Sequence, residues 1–388
     1  MKPTRRHNGL QKGLGLFSII AIGIISIIAS NGDEPGWKVV GMESFSDGAA
    51  SYVSLFVENN TPYVAYRDEA HGNKLTVKTF NGTQWVNLGS PGFSFGEIVW
   101  NTDIYVFQGT PYVAYQDKST NPSGKAVVMK FNGNTWERVG RPGLAPGFSP
   151  DAAAELNLHI APATPPVPYV AFQDWGHDKK ATVMRWNNVN WVYVGGEPAI
   201  STGQANSVSF DVYLGSSYVA YADQLTDDNV GKATVRQFDG NAWVDVGNAG
   251  FSAAEAPYTT LDLDENRVPY VAYQDWANDK KATVMKYAAG SWQSVGSPGI
   301  SSGMAGQPVQ VTVDGTTPYI AYRDETRGWK VSVKKFSGTS WTDLGSPEAP
   351  TTIGDVGYRH SLAVVGGKPY LAFVDVSKGR KVTVLKYE

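Results

Sequence analysis

Cysteine is absent from all 388 residues. That single absence removes thiol nucleophiles, iron–sulfur clusters, thiolate metal sites and disulfide staples, and it leaves no thiol for a lipid anchor. A chain of this length buries enough surface to fold without covalent cross-links. Histidine is scarce as well. Beyond the N-terminal segment only His71, His159, His177 and His360 occur, with no metal-ligand spacing between them. No metal and no cofactor is therefore expected. Charge is sparse and mixed, with 33 Lys and Arg against 36 Asp and Glu, and a formal net charge of −3. No basic patch marks a nucleic-acid surface, so that class of partner is set aside.

Long hydrophobic runs are missing too, with one exception. Leu14–Ala29 is apolar apart from Ser18, Ser26 and small residues, and Lys2, Arg5, Arg6 and Lys12 precede it or flank its start. A basic segment before a short apolar run is the pattern of a secretory signal, and the run falls short of the ~18 residues of a spanning helix. Residues 1–30 are read as a signal peptide or, if uncleaved, an N-terminal membrane anchor, and residues 31–35 as a short linker. Either way, residues 36–388 are expected outside the cytoplasm, secreted or at the cell surface. Without the four basic groups the formal charge moves from −3 to −7.

What the chain does contain is one phrase written seven times: an aromatic strand of the form Pro-Tyr-Val-Ala-Tyr-x-Asp, a Lys-led strand, then Trp-x-x-Val-Gly. The first strand tyrosines are Tyr63, Tyr112, Tyr169, Tyr218, Tyr270, Tyr319 and Tyr370, at spacings of 49, 57, 49, 52, 49 and 51 residues. A β-rich repeat near this period is the signature of a propeller, one repeat to a blade. In the fifth repeat, strand A reads Tyr258–Asp264, strand B Pro269–Asp275, strand C Lys281–Tyr287 and strand D Trp292–Gly296, separated by Gly, Asn, Asp and Pro. The last repeat ends after its C strand at Tyr387, and the first begins with an isolated D-type strand, Trp37–Gly41. An all-β fold follows: a seven-bladed β-propeller of four-stranded blades, closed by an N-terminal strand completing the last blade. Closure of this kind hides strand edges that a three-stranded blade would expose.

Regular features serve architecture, because chemistry needs one site and a ring needs seven. Each B strand ends in Asp (Asp68, Asp117, Asp174, Asp223, Asp275, Asp324, Asp375) and each C strand opens with Lys, which predicts a cross-strand ion pair in every blade. The recurrent D-strand tryptophans are read as wedges between blades. Irregular features carry function. Trp175 and Trp276 follow the B-strand Asp in blades 3 and 5, Trp329 lies in the equivalent loop of blade 6, and His71 and His177 occupy those of blades 1 and 3. Aromatic plates beside polar loop residues are what a glycan surface needs. Acidic residues punctuate the D–A loops at Asp47, Glu97, Asp151, Glu255 and Asp355 and could ring the channel mouth. A pair of them would suit a glycosidase. Arg67, Arg323 and Arg359 could clamp a carboxylate, although the first two sit one residue off the Tyr/Asp face.

The turns Gly82–Trp85, Gly133–Trp136, Gly240–Trp243 and Gly338–Trp341 resemble the tail of the Asp-box hairpin of sialidase-type (BNR) propellers. The Ser-x-Asp head of that motif is missing, since Phe80, Phe131, Phe238 and Phe336 hold its Asp position. The repeats as a whole look like those of exported bacterial propellers of sialidase-like or lectin architecture. This resemblance implies the fold and transfers no catalytic residue. The functional reading is a non-catalytic module that binds a glycan or surface polymer through Trp175, Trp276, Trp329, His71, His177, Glu97, Asp151 and Glu255. The rivals are a glycoside hydrolase or lyase using the D–A acids, and a protein–protein scaffold.

Overall fold

The computed structural model describes residues 35–141, 145–213, 215–225, 230–345 and 360–388. The segment read as signal or anchor, Asp355 and Arg359 lie outside them. Seven four-stranded antiparallel sheets form the chain, a β-propeller. The inner A strands are Ala50–Glu58, Ile98–Phe107, Ala153–Ala161, Gln204–Tyr213, Thr260–Leu263, Ala305–Asp314 and Ser361–Val365 for blades 1 to 7. Each touches the next, and blade 7 touches blade 1, so the ring is closed. In blade 7 the outer strand is Trp37–Val39, paired with the C strand Lys381–Tyr387 in the register Trp37↔Tyr387. The expected closure by the N-terminal strand is observed. Among the described residues no helix is long and apolar enough to cross a membrane.

Sheets bury both faces here, which is why the B strands read as continuous apolar runs. Val64, Ala65 and Tyr66 of blade 1 are fully buried, as are their counterparts in the other blades. The core is accordingly seven inter-blade clusters, one per junction.

Three devices tie the junctions. The D-strand tryptophan donates its indole N–H to a carbonyl of the preceding blade: Trp85 to Val40 at 2.9 Å, Trp136 to Leu88 at 2.7 Å, and so round to Trp37 to Leu344 at 3.0 Å. The ring also packs. Phe45, Phe93, Phe148 and Phe251 of the D–A loops stack on Trp85, Trp136, Trp191 and Trp292 at 4.0 to 4.4 Å. The serine after that loop position accepts from the preceding C strand, as in Leu75 N–H to Ser94 at 3.1 Å and Ala126 N–H to Ser149 at 3.0 Å. Both repeated residues of the D–A loop are thereby explained. A third device lies on the A strands and lines the channel, described below.

The C–D turns account for the Asp-box likeness. Asn81, Asn132 and Asp239, one residue after the Phe of the Asp position, accept two backbone N–H groups of the turn at 2.8 to 3.0 Å. The glycine that follows takes φ of +97° at Gly82 and +102° at Gly240, a region closed to residues with a Cβ.

Candidate functional site

Two places break the sevenfold pattern. The first is the face carrying the B–C turns. Here the terminal Asp of the B strand caps a single 3-10 turn. Asp275 accepts from Ala277 N–H at 3.0 Å, the Asn278 side chain at 2.8 Å and Thr283 Oγ1 at 2.8 Å. In blades 1 and 3 a histidine takes the Asn role: His71 Nδ1 and His177 Nδ1 each lie 2.8 Å from Asp68 and Asp174. The expected Asp–Lys ion pair is corrected by this geometry. Asp and Lys do stand opposite in register, but the carboxylate is buried and faces the turn's N–H groups and the C-strand hydroxyl, which suit a desolvated acceptor better than a solvated ammonium.

The cap fixes what the turn presents. Trp175 and Trp276, first in their turns, are 36% and 40% exposed. Their indole N–H groups donate to Gln173 at 3.0 Å and Gln274 at 2.9 Å, and those glutamines donate in turn to the Ala205 and Ala305 carbonyls of the next blade. Lys179 Nζ stands 5.2 Å from the Trp175 ring and Lys280 Nζ 4.7 Å from the Trp276 ring. Both lysines, and Asp178 and Asp279 before them, hold left-handed φ values of +54° to +58°. Such backbone costs ~1 kcal/mol per non-glycine residue and persists where its surroundings determine it. Trp329 takes the αL position itself, packed on Gly306, with the Arg323 guanidinium 5.6 Å over its ring. Trp329 and Arg323 are thus one unit, and Arg323 points at the loop face. Trp100, on the A strand of blade 2, was not anticipated. It is 43% exposed and its ring lies 5.8 Å from that of Trp175. An extra residue in this strand of blade 2, relative to blade 1, hides it from alignment of the repeats.

The D–A acids lie beside these turns. Asp47 pairs with Lys78 at 2.9 Å, Glu97 with Lys118 at 3.5 Å, and Asp151 accepts from Asn121 at 2.6 Å, while the Glu255 carbonyl accepts the Trp276 N–H at 3.2 Å. None of these four belongs to the channel wall. Asp47, Asp68 and His71 bring ligand-type atoms within 4.8 Å of one another, but each is already engaged in the contacts above.

The second place is the channel, a cavity of about 690 Å³. Two rows of A-strand side chains face it, two residues apart as strand alternation requires. One row stands opposite the B-strand alanines: Ser54, Asp103, Asn157, Ser209, Thr260, Gln310 and Ser361. Each reaches the next blade's backbone. Ser54 accepts from Ile104 N–H at 3.2 Å, Asp103 from Leu158 at 2.8 Å, Ser209 from Leu261 at 2.9 Å, Thr260 from Val311 at 3.0 Å, Gln310 from Leu362 at 2.9 Å and Ser361 from Leu55 at 3.0 Å, while Asn157 donates to the Val208 carbonyl at 2.7 Å. This row is the third device that holds the ring.

Burial pushes the Asp103 carboxyl up to about 6, against the lowering effect of its hydrogen bonds from Leu158, Ser54 and Ile104. The folded value lies above the unfolded one, so the contribution of this group is full below about pH 4 and is lost as pH rises through about 6. Channel water moderates the effect to ~2 kcal/mol or less. Asp103→Asn removes the charge and leaves the amide oxygen as an acceptor for Leu158 N–H. Urea melts at pH 4 and pH 7.5 should show the variant gaining stability relative to the parent only at the higher pH; equal differences at both would refute the assignment.

The other row stands opposite the first B-strand aromatics and has no symmetry: Phe56, Tyr105, His159, Asp211, Asp262, Thr312 and Ala363. Phe56, Tyr105 and His159 form a continuous aromatic wall, with centroids 4.6 Å apart at each step. Tyr105 Oη lies 3.4 Å from His159 Nε2, and His159 Nδ1 lies 2.9 Å from Asp211. Asp211 also accepts from Leu263 N–H at 3.1 Å, and Asp262 from Val313 N–H at 2.6 Å and Thr312 at 3.1 Å. Burial alone would raise Asp211, but the hydrogen bond and charge of His159 outweigh it and hold this carboxyl below the usual range. Burial and the neighbouring Asp211 charge push Asp262 well above it. This row is not marked by the repeated phrase. Its signal was the residue seven places before the B-strand tyrosine, which holds in blades 1, 2, 4, 6 and 7 and slips in the two others.

No protein-family model matches the chain, and no curated protein is significantly similar to it in sequence. Solved structures do match. A mutant lectin of Aleuria aurantia in complex with Fucα1-6GlcNAc is 14% identical, with a TM-score of 0.51 over 79% of this chain and 99% of that one. An ulvan lyase of polysaccharide lyase family PL25, bound to -[GlcA(1-4)Rha3S]-, is 10% identical, with a TM-score of 0.54 over 89% and 95%. The α-L-arabinofuranosidase Arb93A of Fusarium graminearum, in complex with an iminosugar inhibitor, is 12% identical, with a TM-score of 0.50 over 91% and 96%. Lectins and glycan-degrading propellers are its structural neighbours. At these identities the likeness concerns the fold.

Proposed function

We propose that the protein is an exported, non-catalytic carbohydrate-binding propeller that engages glycans or a surface polymer on its B–C loop face. The observation that carries this reading is the duplicated unit Trp175–Gln173–Lys179 and Trp276–Gln274–Lys280. Each presents an exposed, hydrogen-bond-anchored indole plate with a cation at its side, on a left-handed residue pair that closes the equivalent turns of blades 1, 6 and 7 as well. Trp100 widens the plate in blade 3, and Trp329 with Arg323 repeats the theme in blade 6. His71, His177, Glu97, Asp151 and Glu255 flank the plates and supply their polar rim. The lectin among the structural neighbours is seen with a fucosylated sugar, which agrees with this use of the fold. Export rests on residues 1–30, and N-terminal sequencing of the secreted protein would place the first residue near 31.

The hydrolase alternative drew on the D–A acids, and their engagement with Lys78, Lys118 and Asn121 leaves it weaker. A glycan and polysaccharide binding screen tests the proposal. Trp175→Ala/Trp276→Ala is expected to lose about 100-fold in affinity, as removal of central aromatic anchors does, with an unchanged circular dichroism spectrum. A chain that binds no glycan, or a double variant that binds as well as the parent, would sink the reading.

A further inference from the structure

The channel wall combines three properties that the ring itself does not need. The symmetric row of Ser54 and its counterparts already ties every blade to the next; Asp211 and Asp262 repeat that tie through Leu263 and Val313 N–H, but the ring has no need of Phe56, Tyr105, His159 and Thr312 at this position. Six of its seven members line the cavity. The cavity is of ligand size, since sites for small molecules run from ~300 to ~1,000 Å³. Its chemistry is one-sided. Blades 1 to 3 contribute the wall of Phe56, Tyr105 and His159, and blades 4 and 5 continue the row with Asp211, 2.9 Å from His159 Nδ1, and Asp262. No Lys or Arg is found among the described residues of the lining.

We infer that this channel is a second binding site, for a small polyhydroxylated molecule that carries a protonated amine, the chemistry of an amino sugar. The aromatic wall takes the C–H face of the ring, as an apolar plate of this breadth does for sugars. The ammonium faces Asp211 and Asp262, which hold the same row position on neighbouring inner strands; His159 engages the first, and an incoming cation offsets the cost of ionising the second. Thr312 Oγ1, which donates to Asp262, is placed to accept from a hydroxyl, and the long Tyr105 Oη–His159 Nε2 contact of 3.4 Å can be shared with another. A uronate would bring a further negative charge beside the two carboxyls and is disfavoured. This site stands on observations separate from the loop-face tryptophans.

The test is isothermal titration of the purified chain with glucosamine, glucose and N-acetylglucosamine, which share a ring and differ in charge. Glucosamine is expected to bind with a dissociation constant of about 1 mM or tighter, and the two neutral sugars at least about tenfold more weakly. Two variants locate the site. Asp262→Asn removes the charge, but it also alters the acceptor of Val313 N–H, so its fold must be verified. Thr312→Lys preserves donation to Asp262 and delivers a tethered ammonium to the same wall. Loss of glucosamine binding in Thr312→Lys, with binding retained in Trp175→Ala/Trp276→Ala, supports the channel site whatever the fate of the loop-face reading. The inference is overturned if the parent binds no glucosamine, if the three sugars bind alike, if Thr312→Lys binds as the parent does, or if only the tryptophan variant loses binding.

Discussion

Deleting residues 36–40 is expected to cost about 5 kcal/mol or more, most of the stability of an ordinary domain. The strand Trp37–Val39 is short, but it joins three blades. It pairs with Lys381–Tyr387 of blade 7, with Gly36 N–H to the Glu388 carbonyl at 2.9 Å and Val40 N–H to the Val384 carbonyl at 2.9 Å. Trp37 donates to Leu344 of blade 6 and lies 5.5 Å from the Tyr387 ring, while the Val40 carbonyl accepts from Trp85 of blade 1. Each hydrogen bond contributes ~1 kcal/mol, and burial of a large aromatic adds ~3 kcal/mol. The deletion also leaves the Lys381–Tyr387 strand as an open edge, which invites aggregation. Urea unfolding of the deletion variant, with and without a synthetic peptide of residues 35–46, reads the effect. Recovery of stability by the peptide is the expected result, and a midpoint unchanged by the deletion would show that the inner ring closes the propeller unaided.

Asp275→Ala should destabilise the protein by about 3–5 kcal/mol, whereas Lys281→Met should change it by about 0.5 kcal/mol or less. The difference separates a buried cap from a surface ion pair. Asp275 is 3% exposed and accepts from Ala277, Asn278 and Thr283, so its removal orphans three donors, of which Thr283 is fully shielded from water. Lys281 sits opposite in register with its ammonium able to reach solvent. Because the same cap sets the direction of Trp276, Asp275→Ala is also expected to weaken glycan binding before the protein unfolds. Comparable losses from both substitutions would restore the ion-pair account.

Much of the ring was legible because it is written seven times. Repetition averages away local ambiguity, so the strands of blade 5 were placed to within a few residues. The one notable shift, strand A starting at Thr260 and not at Tyr258, arises because Tyr258 takes φ of +61° where the strand bends at the mouth. The Asp–Lys alternation was legible as a pair and misleading as a bond. Opposed positions on a hairpin say which residues are neighbours, while the partner of a buried carboxylate is decided by which donors are desolvated with it.

By itself the sequence determined the architecture: blade number, strand order, the tryptophan wedges and closure by the first strand. Each of these follows from periodicity and from the need to cover strand edges, and neither depends on distant detail. Tertiary structure alone decided which side chains meet. Trp100 meets Trp175 across a blade junction, Arg323 lies over Trp329, and Tyr105, His159, Asp211 and Asp262 come from four different blades, with up to 57 residues between successive repeats. A site assembled by ring closure has no local signature, because its members share a row around the axis and not a segment of the chain.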